Sequence, residues 1–424
     1  MKTIVPDIPG TLVTDEIQLN FLKDHVRNLC LARSTRFPGA QPISFNKQSL
    51  DIMLKKDFWV CEKSDGQRVL LLVVVPPVTN IQEVYLIDRK NQYYQVNHVY
   101  FPHFLPSSHK ARMTTGQLNH TLLDGELVID QISETQRRLR LLLFDALVVD
   151  GDNVMQRPLS RRYGCLQCQI LPAYLQCMKA NADARMRAPF EIHVKPMDLA
   201  YGLAEVLQVK MPKLRHGCDG LIFTSLHAPY EMGTTTNILK WKPPQENTID
   251  FKIQLKFPPD LKADPSANTP DWKAKPMFEL LQHVHGDQHE FYDWLDMDDE
   301  EWDDWKEKGE QLDDRIVECA WHPPSPEDKQ VATWHITRIR DDKTTANHKT
   351  TVTRVMESIR DGVMEEELIE LVPEIRTAWK SEKREQQRSQ MQRSQRRSFP
   401  PNVKGLGGPG PPMRKGGMPN LKRR

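Results

Sequence analysis

No apolar run in this sequence is long enough to cross a membrane. The longest, residues 69–75, ends in two prolines, far short of the roughly 20 residues a spanning helix needs. The first ten residues, MKTIVPDIPG, lack the apolar stretch behind a basic start that marks a secretory signal, so a cytosolic or nuclear location is expected. Cysteine is sparse: the seven residues Cys30, Cys61, Cys165, Cys168, Cys177, Cys218 and Cys319 are an odd number scattered along the chain, which excludes a disulfide framework and predicts reduced thiols. Cys165 and Cys168 form a lone C-x-x-C with no second pair, and Cys177 has no nearby histidine to complete a zinc site, so helix packing accounts for them. No side-chain metal site is assigned. A G-x-x-x-x-G-K-S/T loop is also missing, which excludes nucleotide binding of the P-loop kind.

What is present points to a water-soluble chain with more than one core. At 424 residues, 39% hydrophobic and 27% charged, two or three domains are expected. The net charge of +1 hides an asymmetry: residues 380–424 carry thirteen Lys/Arg against two Asp/Glu, leaving 45 basic and 55 acidic side chains in the body. Such a tail is an electrostatic handle for nucleic acid or an acidic partner, and equally fits solubilisation or nuclear import. Rich in Gln, Arg and Ser and then in Gly and Pro, it is expected to be disordered.

Apolar periodicity predicts a helix over 17–31, then a Pro-containing loop, FPGAQPISF. Short Val/Leu/Ile and aromatic runs predict strands over 58–63, 69–75, 84–88, 93–96, 121–128 and 139–149. Helical patterning covers 160–186 and 198–211, and strands return at 219–225, 238–243 and 249–257. The acidic stretch DWLDMDDEEWDDW (293–305) reads as a solvated loop; strands follow around 315–321 and 332–340, and two helices broken at Asp361-Gly362. The expected division is 1–243, 244–375 and a basic tail, 376–424.

Chemistry concentrates in a few strings. In EKSDGQR, Lys63 stands at a strand end beside an Asp-Gly turn, with Arg68 following. A free lysine, with a pKa of about 10.4, is protonated at neutral pH and is not a nucleophile; burial or neighbouring cations would free the amine. TLLDGELV supplies Glu126, LLLFDALVVDG supplies Phe144 and Asp145, and DGLIF supplies Asp219 and Gly220. In ILKWKP, Lys240 and Lys242 share one strand face while Trp241 points away. Two cations side by side call for an anion between them, and a polyphosphate is the natural one. The string RIRDDK gathers Arg338, Arg340, Asp342 and Lys343, a group suited to a leaving pyrophosphate. Each string taken singly also fits a solvated turn, an exposed edge strand or a surface salt-bridge cluster.

In order, EKSDGQR, DGELV, FDALVVDG, DGLIF, LKWKP and RIRDDK resemble the signature set of covalent nucleotidyltransferases, the superfamily of mRNA guanylyltransferases, ATP-dependent DNA ligases and RNA ligases. LKWKP followed by ENTIDF, RIRDDKTTANH, FPGAQPISF and SIRDGV are similar to the stand-alone fungal capping guanylyltransferases. The resemblance covers about residues 1–380. It implies an α+β fold: a nucleotidyltransferase domain of twisted antiparallel sheets with helices, then an OB-fold domain across a cleft that opens and closes. It also implies attack of Lys63 on the α-phosphate of GTP, release of pyrophosphate, and transfer of GMP to a 5′-diphosphate RNA end. By the same resemblance Arg68 and Glu126 contact the ribose, and Arg89 reaches the nucleotide or the RNA end phosphate. Phe144 stacks on guanine and Lys195 approaches the base edge. Lys240 and Lys242 bind the α-phosphate, and Asp219 positions metal or lysine. Arg340, Asp342 and Lys343, supported by Arg338, engage the β- and γ-phosphates. A divalent cation, Mg²⁺ or Mn²⁺, is expected on the triphosphate. With no triphosphatase or methyltransferase region visible, a separate RNA 5′-triphosphatase subunit is expected. The phosphorylated C-terminal domain of RNA polymerase II is expected as a second partner, in the nucleus and not at a membrane. The competing readings are an ATP-dependent polynucleotide ligase using lysyl-AMP and a non-catalytic RNA-binding protein.

Overall fold

The computed structural model describes residues 5–105, 112–260, 269–322 and 333–398. The chain falls into two units divided after Arg376, and no described helix is long and apolar enough to cross a membrane.

In the first unit, an eight-stranded sheet runs in the order Thr11–Leu12, Tyr93–Val96, Glu83–Ile87, Gln67–Val74, Thr121–Gln131, Arg137–Val149 and Asp152–Asn153, with Glu191–Val194 added in parallel beside Arg137–Val149. Along its central strand Val69, Leu71 and Val73 enter one buried cluster, and Leu70, Leu72 and Val74 another. Both faces are covered, which is why the sequence there is an unbroken apolar run instead of an alternating one.

The second sheet has the order Asp198–Leu199, Phe58–Ser64, Cys218–Ser225, Gly233–Trp241 and Ala40–Ser44. Its last strand lies within the segment expected to be a Pro-containing loop. Proline is tolerated there because the strand is at the sheet edge, pairing in parallel on one side only. Between Ser64 and Gln67 the chain passes directly from this sheet into the larger one. At that turn a side chain on Gly66 would lie 2.3 Å from the Leu127 carbonyl oxygen, so only glycine lets the strands approach.

Beyond Pro244 five strands, Thr248–Lys256, Met277–His285, Gln288–Leu295, Ile316–His322 and Thr333–Ile339, pair antiparallel in the order third, second, first, fourth, fifth. The outer two meet: Trp334 Nε1 donates to Asp293 Oδ2 at 3.1 Å, curling the sheet into an OB barrel. Phe251 and Trp334 pack edge to face in its core, 5.0 Å between centroids. The acidic stretch is not the solvated loop expected. Its start ends a strand, and Asp299–Lys308 is a helix capped by Asp298 and Glu301. Acidic residues in its first turn complement the helix dipole, while Trp302 packs edge-on against Phe278 at 5.3 Å.

After the helix Lys349–Arg360 the chain returns to the second sheet. Val363, Leu368 and Ile375 join the cluster of Phe45, Met53 and Trp241, and Trp241 Nε1 donates to the Val363 carbonyl at 2.8 Å. In the second unit the expected disorder is partly overturned, because Glu382–Ser398 is helical. Gln, Arg, Glu and Lys are strong helix formers even without an apolar stripe. The remaining tail, 399–424, lies outside the described residues.

Candidate active site

A cleft of about 710 Å³ opens where the two sheets join, and Thr248, Val355, Ser358 and Gly362 line it from the far side. At one end Lys63, the penultimate residue of its strand, donates from Nζ to Asp219 Oδ1 at 2.5 Å, and the other carboxylate oxygen pairs with Lys242. Lys240 and Lys242 both line the cleft while Trp241 is buried behind them, the alternation expected from the sequence. Burial, then Lys63, Lys242 and Arg89, hold the Lys240 ammonium below its ordinary range. Four cations, Lys63, Arg89, Lys240 and Lys242, are gathered at this end close enough to act on one another and form a cradle for an oxyanion.

Asp219 owes its position to a break in strand register between Cys218 and Leu221. Gly220 has φ +147°, and a Cβ there would lie 2.0 Å from the Trp241 carbonyl oxygen. A second break, between Leu143 and Asp145, leaves Phe144 unpaired and lining the cleft. Bulges of this kind re-aim single side chains.

Along the wall Arg68 grips Asp124 with two hydrogen bonds, 3.0 and 2.6 Å. Tyr230 donates to the same carboxylate at 2.6 Å, and the guanidinium lies 5.7 Å from the Phe144 ring centre. Burial pushes the Glu126 carboxyl up, against the pull of Lys195, Lys63, Arg68 and Arg89. At the floor Lys195, only 2% exposed, donates from Nζ to Ser64 Oγ at 2.7 Å and pairs with Glu62 Oε1 at 3.4 Å. Burial works against its charge, but Cys61, Glu62 and Glu126 raise its pKa overall.

Lys63, Arg68, Arg89, Glu126, Phe144, Lys195, Lys240 and Lys242 thus line one cleft, with Asp219 bonded to Lys63. Arg338, Arg340, Asp342 and Lys343 are not brought there. Arg340 donates to Asp342 at 2.8 and 2.7 Å and to Asp250 at 2.9 Å. Lys343 also pairs with Asp250, and Arg338 with Glu318 at 2.5 Å. Sequence reasoning missed Asp124, Tyr230, Glu62, Ser64, Glu246 and Arg162, the buried partner, at 2.8 Å, of the Asp145 it had singled out. Asp124 was within reach, two residues before Glu126 and so on its strand face. Tyr230 comes from a loop whose spacing carries no signal.

Nucleotidyl transfer is the chemistry that an amine among phosphate-seeking cations, set across a nucleotide-sized cleft from an OB barrel, is built to perform. The family model for the mRNA capping enzyme catalytic domain matches residues 5–244, and that for the mRNA capping enzyme C-terminal domain matches 246–369. The chain belongs to the mRNA-capping enzyme family. It is 37% identical over 415 residues to the mRNA-capping enzyme subunit alpha of Candida glabrata, covering 90% of each chain. It is 37% identical over 381 residues to that of Schizosaccharomyces pombe, covering 89% of this chain and 90% of the relative. It is 25% identical over 366 residues to the mRNA-capping enzyme of Caenorhabditis elegans, covering 84% of this chain and 52% of that one. A solved structure of mycobacterial DNA ligase D complexed with ATP and MES is similar over 72% of this chain and 95% of its own at 14% identity, with a TM-score of 0.33.

Proposed function

We propose that this chain is an mRNA guanylyltransferase that carries GMP on Lys63. The observation behind this reading is the setting of the Lys63 amine, bonded at 2.5 Å to Asp219 and flanked in the cleft by Lys240 and Lys242. The unprotonated Nζ attacks the α-phosphorus of GTP; a P–N bond forms as the nitrogen gives up a proton to Asp219, the bond to the bridging oxygen of the β-phosphate breaks, and pyrophosphate leaves with the electron pair. A terminal phosphate oxygen of a 5′-diphosphate RNA then attacks the same phosphorus, breaking the P–N bond, returning the amine and leaving a GpppN end. Lys240 and Lys242 bind the α-phosphate oxygens, and Arg89 the nucleotide or the incoming end phosphate. Arg68, fixed by Asp124, and Glu126 hold the ribose, with Phe144 against the base.

Guanine selection falls to Lys195. An ammonium has three donors and no acceptor, so it suits guanine O6 and opposes the amino group that adenine offers at the same edge.

Among the described residues no group of three His, Cys, Asp or Glu side chains could by itself hold a metal. Glu246 lines the cleft, with Lys242 and Asp219 among its charged neighbours, which puts a second carboxyl group beside Asp219 near the phosphate end. Two carboxylates together with substrate phosphates suit Mg²⁺ or Mn²⁺. Asp219 and Glu246 would hold such a cation, which would screen the triphosphate charge.

Arg340, Asp342 and Lys343, with Arg338, reach the β- and γ-phosphates when the barrel closes on the cleft. Residues 1–243 are assigned to the nucleotidyltransferase domain, 244–375 to the OB fold with its following helices, and 376–424 to the basic tail. The relatives are named as alpha subunits, which supports a partner subunit carrying the RNA 5′-triphosphatase. Docking on the phosphorylated C-terminal domain of RNA polymerase II, in the nucleus, completes the reading.

The test is covalent labelling. Protein incubated with magnesium and GTP should gain a guanylate on position 63 by mass spectrometry, and Lys63→Ala should gain none. Label from ATP alone, or label persisting in Lys63→Ala, would refute the assignment.

A further inference from the structure

One strand, Phe58–Ser64, serves both ends of the cleft. Lys63 meets Asp219 on one side, while Glu62, one residue earlier and so on the opposite side, meets Lys195. Resting on the reading of Lys195 as the base-facing group, we propose that Glu62 is a positioning residue for guanine selection, whose carboxylate keeps Lys195 a donor-only ammonium.

The reasoning starts from hydrogen-bond arithmetic. Two of the three Lys195 donors are committed, to Ser64 Oγ at 2.7 Å and towards Glu62 Oε1 at 3.4 Å, leaving one for a ligand. The Lys195 and Glu62 side chains are only 3% and 9% exposed. An ammonium at that depth without a counter-charge sheds its proton. The neutral amine then has a lone pair that can accept from adenine's amino group, so the protonation state of one side chain decides which base fits.

The groups facing Lys195 are Ser64, Cys61 and Glu62 from Phe58–Ser64 and Glu126 from Thr121–Gln131. Burial raises the carboxyl of Glu126 and pushes the Cys61 thiol up to about 12, so neither is a dependable anion. Glu62 is different: burial opposes its charge, yet Lys195 and His216 bring its pKa below the ordinary value. Behind it stands a further support. His216 Nε2 is 3.7 Å from Glu62 Oε1, and His216 Nδ1 is 2.9 Å from Asp130 Oδ1. Asp130 is in turn paired with Arg140. The row Arg140, Asp130, His216, Glu62, Lys195 runs from a half-buried residue to the cleft floor and alternates in charge when His216 is protonated; it holds in place the carboxylate that the ammonium needs.

The experiment compares rates of covalent labelling with GTP and ATP across pH 6–9, using the full chain and magnesium. The GTP-to-ATP ratio does not depend on the fraction of molecules that fold, so a partly unfolded variant remains informative. In the natural sequence the ratio should be high and level with pH. In Glu62→Gln it should fall about tenfold or more, the size of one base-edge contact, and fall further as pH rises and Lys195 loses its proton. Lys195→Met should lower the ratio at every pH with no slope. In Glu62→Gln/Lys195→Met the pH dependence should vanish, since no amine is left to titrate. If Lys195→Met keeps full discrimination, the base-facing reading of Lys195 fails and this inference fails with it. If Lys195→Met loses discrimination while Glu62→Gln keeps a high, level ratio, only the role of Glu62 is overturned.

Discussion

Arg68 and Asp124 are a buried pair, 9% and 0% exposed, and at this scale a charge matters most through what its loss leaves behind. Arg68→Ala strands a carboxylate in the interior, which costs about 3–5 kcal/mol; urea unfolding should register that loss, beside weaker nucleotide binding. Arg68→Lys should not rescue it, because an ammonium cannot span both carboxylate oxygens. His216 gives a pH signature. Burial disfavours its charge, but Glu62 and Asp130 raise its pKa above 6.5 overall. The stability it contributes is therefore complete below about pH 6.5 and is lost as pH rises through the higher folded value. Stability to urea should decline over that window, and His216→Gln should flatten the decline. Most of these side chains were legible as charges in short strings, but their partners were not. Asp124 and Glu62 sit unread inside strings already singled out, and Tyr230 in a loop with no pattern, because a partner across a sheet leaves no mark on spacing.

Strands were readable as runs of apolar residues; their irregularities were not. The two register breaks that aim Phe144 into the cleft and set Asp219 against Lys63 are local events, invisible to a period-2 pattern. Gly220→Ala tests the second. Its Cβ would collide with the Trp241 carbonyl at 2.0 Å, forcing the Cys218–Ser225 and Gly233–Trp241 strands apart and moving Asp219 off Lys63. Covalent labelling should drop by at least about tenfold, a 1.4 kcal/mol loss, while far-UV circular dichroism stays nearly unchanged. Acidic residues 298–301 misled in the other direction. Charge density suggested a loop, but Asp298 and Glu301 form a capping box, a signal carried by two positions instead of composition.

In the molecule as a whole, the cations expected to seize the leaving pyrophosphate are occupied on the barrel. Arg340 and Lys343 are neutralised by Asp250, Glu318 and Asp342, so on the proposed reading a triphosphate would have to compete for them. Arg340→Ala should slow formation of lysyl-GMP by about 10- to 100-fold, the loss of one preorganised charge contact. It should leave transfer from isolated lysyl-GMP protein to 5′-diphosphate RNA within about twofold, because the pyrophosphate has already gone; a single-turnover chase separates the two steps. The OB barrel was foreseeable from the family resemblance; the strand runs after Pro244 agreed with it but marked only three of its five strands, leaving out Met277–His285 and Gln288–Leu295. The return of 363–375 to the second sheet was not, since only tertiary contact reveals it. Leu368, fully buried there, should cost about 2–5 kcal/mol when replaced by alanine, measurable by denaturant titration.

That return has a mechanical consequence. The chain crosses to the barrel at Pro244 and comes back through Gly362, and the two crossings touch: a Cβ on Gly362 would lie 2.5 Å from the Pro244 ring. A body pinned at two adjacent points swings about the line joining them and resists every other rotation. Closure of the barrel on the cleft, as proposed for engaging the β- and γ-phosphates, would therefore turn about that line and bring the same edge to the same wall each time.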